Sequence, residues 1–331
     1  MQRRWYGKDW GLSARMFFVM FLLAALYLLF LAFLWNAGVG FMGMAVIAGT
    51  LLVVQFFFSD KIVLWSMGAR EVDRDEAPEL HAMIERLAQM ADLPKPKVAI
   101  AESDVPNAFA TGRSPKNSVV CVTTALMRRL DPPELEAVLG HELSHVRNRD
   151  VMVITVAGFF AAVASFLVHN LLFSFGFGFD SGGDRDGEGM GIMAVWLVSM
   201  LVWVISFFLI RALSRYREYA ADRGSAILTG APSQLASALV KISGVMERIP
   251  DRDLRKVEGM NAFFILPAHR RASLVELLST HPSLEKRLEQ LEKMEQTCQE
   301  GGNYVKAAPE VGSEVAGARR QLAVGKMTAE E

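Results

Sequence analysis

Four apolar runs set the first limit on how this chain can fold. Residues 16–36 (MFFVMFLLAALYLLFLAFLWN) are long enough to cross a bilayer as a helix, and residues 39–58 follow after a turn near Asn36-Ala37-Gly38. Residues 151–178 and 190–213 form a second apolar pair, separated by the acidic, glycine-rich stretch from Asp180 to Gly189. Such runs predict two spanning hairpins, about four transmembrane helices, because only closed secondary structure survives in lipid. A signal peptide is the rival reading for the first run, given Arg3, Arg4, Lys8 and Arg15 before it. The run is too long for that and lacks a small-residue cleavage pattern. Basic residues flank the outer ends of the first hairpin, with Lys61 and Arg70 beyond it, and none lie in its turn. The positive-inside rule then puts the N-terminus, and the chain from residue 60 on, in the cytoplasm.

Between the hairpins the chain is polar enough to fold in water. Pro78 to Ala91 carries Leu80, Met83, Ile84, Leu87 and Met90 at helical spacing. Lys97–Ala101, Asn107–Thr111 and Ser118–Val122 read as short strands broken by Pro, Gly and Asn. The segment from Asn107 to Ala110 is the candidate edge strand, able to pair with an extended peptide.

Pro133 to Arg149 then reads as a helix containing His141-Glu142-Leu143-Ser144-His145. Asp131 can cap it, with Glu134 three residues on as in a capping box. Positions i and i+4 share a helix face, so His141 and His145 can point two imidazoles at one cation. Glu142 lies about 100° around, beside the ion, where it can act as a base. That pattern is the arrangement of a zinc peptidase.

Two histidines are not enough, because a catalytic zinc takes three protein ligands and one open position. The candidates for the third are His81, His169, His269, His281 and a carboxylate. Glu218 is the strongest, since Asp222 stands at i+4 and could accept a hydrogen bond from a ligand imidazole. A surface helix with scattered charge would look the same. His169 reads as a tolerated polar residue inside a span.

The net charge of −1 gives no reason to expect a nucleic-acid partner. Cys121 and Cys298 are far apart and show no metal-ligand spacing, which fits a reducing compartment. Residues 231–247 and Leu284–Glu295 read as helices, and the polar chain from about residue 297 to 331 as a disordered tail.

Pro94-Lys95-Pro96-Lys97, Asn107 to Gly112, Gly140 to His145, Arg217-Glu218-Tyr219-Ala220-Ala221-Asp222 and His281-Pro282 occur in one order with the spanning pairs around them. In this the chain, from residue 1 to about 295, resembles the HtpX family of membrane-bound zinc metallopeptidases, related to CAAX-type prenyl proteases. The resemblance implies a mainly α membrane protein with a zincin-like α+β metallopeptidase domain. It implies one Zn²⁺ per chain on His141, His145 and Glu218, Glu142 as general base, and Asp222 orienting a ligand histidine. By the same resemblance Asn107 binds substrate backbone and His281 steadies the oxyanion, although a capping role before Pro282 competes for His281. Polypeptides, misfolded or membrane-embedded, are the implied substrates. The implied place is a bacterial inner membrane, with the N-terminus, active site and C-terminus in the cytoplasm.

The expected organisation is a cytoplasmic N-terminus (1–15), hairpin one (16–58), and a strand-and-helix part of the protease domain (59–150). Hairpin two (151–213), the rest of that domain (214–296) and the tail (297–331) follow. Rival readings are a prenyl-protein protease, a protease acting within the bilayer, and a transporter or scaffold with a structural zinc. Glu134, Glu136, Arg147 and Arg149 argue against the second, since they put the motif's helix in water or at the interface.

Overall fold

The computed structural model describes residues 10–36, 49–50, 53, 57, 61–178, 186–246, 248–249, 265–266 and 279–300. The second apolar run, His269 and the chain after Glu300 fall largely or wholly outside these. The chain is mostly helical with one small sheet. It divides into two compact units: one takes in Asp60–Val151 and the residues from Arg217 on, the other Trp10–Ser59 and Met152–Tyr216.

In the second unit, helix α1 (Trp10–Asn36) packs with parts of α5 (Asp150–Gly178) and α6 (Asp186–Thr229). Val19, Leu23, Tyr27, Phe30 and Leu34 form the buried stripe of α1, three or four residues apart. They meet Ala157, Ala164 and Leu167 of α5 and Val195, Val202 and Leu213 of α6. The Tyr27 hydroxyl donates to the Ala157 carbonyl at 2.7 Å, which satisfies a polar group in an apolar setting. Phe17, Leu29 and Trp35 stay more than two-thirds exposed on the other faces of α1. Helices that are apolar all round, with only one stripe covered, suit lipid. Among the described residues two helices, Trp10–Asn36 and Met193–Thr229, are long and apolar enough to cross a membrane.

Among the described residues the first unit holds four strands, β1 (Ala69–Glu71), β2 (Lys97–Ala101), β3 (Ala108–Ser114) and β4 (Asn117–Thr123), in the order β1-β2-β4-β3. β2 runs parallel to β4, and the outer strands pair antiparallel. β3 is therefore an edge among the described strands. Its register slips between Gly112 and Ser114. Gly112 has φ 127°, and a Cβ there would lie 2.1 Å from the Asn117 carbonyl oxygen, so no other residue fits the bulge. Along β4, Val120 and Val122 face one side and Val119 and Cys121 the other. The first side is covered by α2 (Pro78–Met90), α4 (Pro132–Arg147), α7 (Pro232–Met246) and α8 (Leu284–Glu300), through Ile84, Leu87, Leu139, Leu143, Leu239 and Leu288. Short α3 (Thr124–Arg129) is capped by the Thr123 side chain.

Several details differ from the sequence reading. β1 is too short to leave a periodic signal. Helix α1 starts at Trp10, six residues before the apolar run. Asp186 to Gly189, read as loop, open α6, which then continues without a break through the change from apolar to charged sequence. Thr297–Glu300, assigned to the tail, form the last turn of α8.

Candidate metal centre

Helix α4 begins as its sequence requires. The Glu134 carboxylate accepts from the Asp131 N–H at 2.9 Å, closing a capping box, and Pro132 and Pro133 occupy the first turn. Glu134 is buried, and it is stabilised there by Lys241 at 2.8 Å and the Ser237 hydroxyl at 2.6 Å. One turn from its end the helix presents His141 and His145. Their Nε2 atoms stand 3.2 Å apart.

Helix α6 crosses close to α4 because small residues line the contact. A Cβ on Gly224 would lie 2.1 Å from Ser144 Oγ. The Ser225 hydroxyl donates to the Ala137 carbonyl at 2.6 Å. This approach brings Glu218, two turns earlier on α6, over the histidines. Its Oε2 is 3.6 Å from His141 Nε2 and its Oε1 is 3.5 Å from His145 Nε2. Two donors each about 2.1 Å from a tetrahedral zinc would lie about 3.4 Å apart. The three side chains can each offer one donor within 4.8 Å of the others.

Both imidazoles use Nδ1 on a carboxylate, which leaves Nε2 for an ion. His141 Nδ1 is 3.0 Å from Asp222 Oδ1, as the i+4 spacing on α6 suggested. His145 Nδ1 is 2.6 Å from Asp150 Oδ2, a partner the sequence reading missed. Arg149, with φ 55°, turns the chain at the end of α4 and brings Asp150 back. Arg217 and Arg287 were missed too. Arg217 Nε lies 2.8 Å from Asp150 Oδ1. Arg287, fully buried, donates through Nε to Asp222 Oδ2 at 2.9 Å and through Nη1 to the Ile265 carbonyl at 2.7 Å.

The surroundings push the two rings in opposite directions. Burial opposes charge on His141, but its hydrogen bonds with Asp222 and Glu218 outweigh that and raise it to about 9. Burial pushes His145 down to about 4. A metal ion would compete with protons for the two Nε2 atoms and the Glu218 carboxylate. Glu142 points into the same buried site. Burial raises its carboxyl, while a hydrogen bond from the Ala110 N–H of edge strand β3 favours the charged form.

The other sequence candidates fall as follows. His281 Nδ1 is 3.2 Å from Glu218 Oε2, so it joins the site beside the carboxylate. Asn107 is fully buried at the start of β3, and its Oδ1 accepts from the Ile265 N–H at 3.1 Å. His81 Nε2 sits 3.0 Å from the Val72 carbonyl, committed to the core. His169 Nδ1 bonds back to the Ser165 carbonyl at 2.7 Å within its own helix.

A largely enclosed His-His-Glu cluster beside the outer strand of a sheet is what a metallopeptidase needs, and residues 74–295 match Peptidase family M48. The chain belongs to that family of metal-dependent peptidases. Within it, the chain sits with the membrane-bound HtpX metalloproteases. It is 65% identical over 298 residues to Protease HtpX homolog of Moorella thermoacetica, covering 90% of this chain and 99% of that one. Protease HtpX homolog 2 of Methanosarcina acetivorans is 59% identical, with 89% and 99% covered. Protease HtpX homolog 1 of Streptomyces coelicolor is 50% identical, with 88% and 95% covered. The crystal structure of S. mikatae Ste24p shares the fold at a TM-score of 0.52 and 22% identity, over 81% of this chain and 62% of that one.

Proposed function

We propose that the chain is a zinc-dependent endopeptidase whose ion is held by His141, His145 and Glu218, with Glu142 as general base. The observation that carries this is the convergence of the three donor groups with Glu142 alongside. A zinc ion there lowers the pKa of a water molecule and polarises the scissile carbonyl. Glu142 takes the proton from the attacking water as the C–O bond forms, then delivers it to the nitrogen as the C–N bond breaks. An extended polypeptide pairs with edge strand β3, which sets its backbone beside Glu142. Asp222 orients His141. His281, already on Glu218, lies where it can also meet the developing oxyanion. Asn107 stands at the mouth of β3 as the substrate-backbone contact, and exchanging its Ile265 partner would be part of binding.

The substrates are proteins in or near the membrane, misfolded ones among them. Four spans in two hairpins, with the site and both termini in the cytoplasm, agree with the charge pattern of the loops and with the long apolar helices α1, α5 and α6. Glu142→Gln in the detergent-purified protein is expected to keep its zinc and to lose about 10²–10⁴-fold in casein cleavage. Cleavage at the wild-type rate by that variant would overturn the assignment of the base.

A further inference from the structure

His145 is the less enclosed of the two rings, with 16% of its side chain exposed against 1% for His141. It sits in the last turn of α4, where the helix itself gives little support. Asp150 supplies that support. One oxygen is 2.6 Å from His145 Nδ1 and the other is 2.8 Å from Arg217 Nε, so both oxygens of the carboxylate are engaged. Asp150 is 3% exposed and is the first residue of α5, where the helix dipole favours an anion. Arg217 is also buried and immediately precedes Glu218 on α6. A ring from α4, a carboxylate from the head of α5 and a guanidinium from α6 thus close on one another beside the three donors.

We infer that Asp150 and Arg217 are positioning residues for the reaction, fixing the tautomer and the angle of the His145 ring. The inference rests on the zinc reading above. Asp150 accepts the Nδ1 hydrogen, which leaves the Nε2 lone pair facing His141 and Glu218 and makes it a stronger donor. Arg217 holds the other oxygen of Asp150 and stops the carboxylate rotating away from the ring. Because Arg217 and Glu218 are neighbours, the helix that brings the carboxylate ligand also locks the second histidine. A mere staple between α5 and α6 would show the same ion pair but would leave the ion's surroundings unchanged.

The full chain in detergent separates the two. Zinc affinity is measured by chelator competition, and the cobalt-substituted protein gives a visible spectrum that reports ligand geometry. Asp150→Asn is expected to bind zinc about 10–100-fold more weakly and to shift the cobalt bands. Arg217→Met is expected to do the same to a smaller degree, and Arg217→Lys, which keeps the charge, to recover part of the loss. If wild type and all three variants share one zinc affinity and one cobalt spectrum, the positioning role is overturned even where their melting temperatures fall. If wild type takes up no zinc through His141, His145 and Glu218, the metal reading itself has failed, and this one with it.

Discussion

His141 and His145 stand one turn apart on α4, and each is backed by a carboxylate that an arginine holds. The materials come from different depths. Behind His141, Asp222 and Arg287 are completely buried and lie far along the chain, and Arg287 also ties down the Ile265 carbonyl. Behind His145, Asp150 is five residues away and the ring keeps some contact with solvent. The deep side can form only once α6 and α8 have packed against α4. The shallow side depends on a local turn and one long-range partner. On the zinc reading proposed above, the same bond pattern therefore carries different loads: core stability with ligand geometry at His141, chiefly ligand geometry at His145.

Glu218 serves both sides, so its loss is the harshest test. Glu218→Ala is expected to abolish zinc retention, read by elemental analysis after gel filtration. Full occupancy would break the comparison at its root. Next, Arg287→Met leaves the buried Asp222 carboxylate with His141 as its remaining charged partner, an expected cost of about 3–5 kcal/mol in denaturant unfolding. A stability loss at Arg217→Met as large as that at Arg287→Met would erase the distinction drawn between the two sides. Gly224→Ala presses a methyl group against Ser144 and is expected to cost about 1–3 kcal/mol, with zinc affinity falling as α6 backs away from α4. An unchanged affinity would mean that the crossing does not set the ligand spacing. The smallest effect belongs to Lys241→Met, away from the ion. Its side chain is 41% exposed, so a loss of only about 0.2–1 kcal/mol in thermal unfolding is expected, with zinc binding untouched.

The parts of the site legible in sequence were those fixed by helical period. His141, Glu142 and His145 share one helix, and Glu218 and Asp222 share another, so spacing alone grouped them. Spacing could not join the two helices, because Gly224 against Ser144 is a contact between residues 80 apart in the chain. Asp150 escaped because it lies past the end of α4, and nothing in Asn148-Arg149-Asp150 announces the left-handed residue that turns it back. Arg287 escaped for the opposite reason. It sits in LEKRLEQLEKMEQ, a run of charge that reads as a solvated helix, yet it is the one arginine there and is wholly buried. The strands were legible from their Pro and Gly boundaries. The continuity of α6 was not, since hydropathy changes along it while the backbone does not.

The missing side chain at residue 224 has a further consequence. The gap between α4 and α6, the helices that carry the proposed ligands, is bounded on one side by main chain, which has no rotamers with which to adjust. The bite of the three donors is then stiff, and it suits ions with bonds of about 2.0–2.3 Å better than those needing about 2.3–2.6 Å. Calcium in large excess should accordingly leave bound zinc in place, and displacement by it would show that the jaw can open.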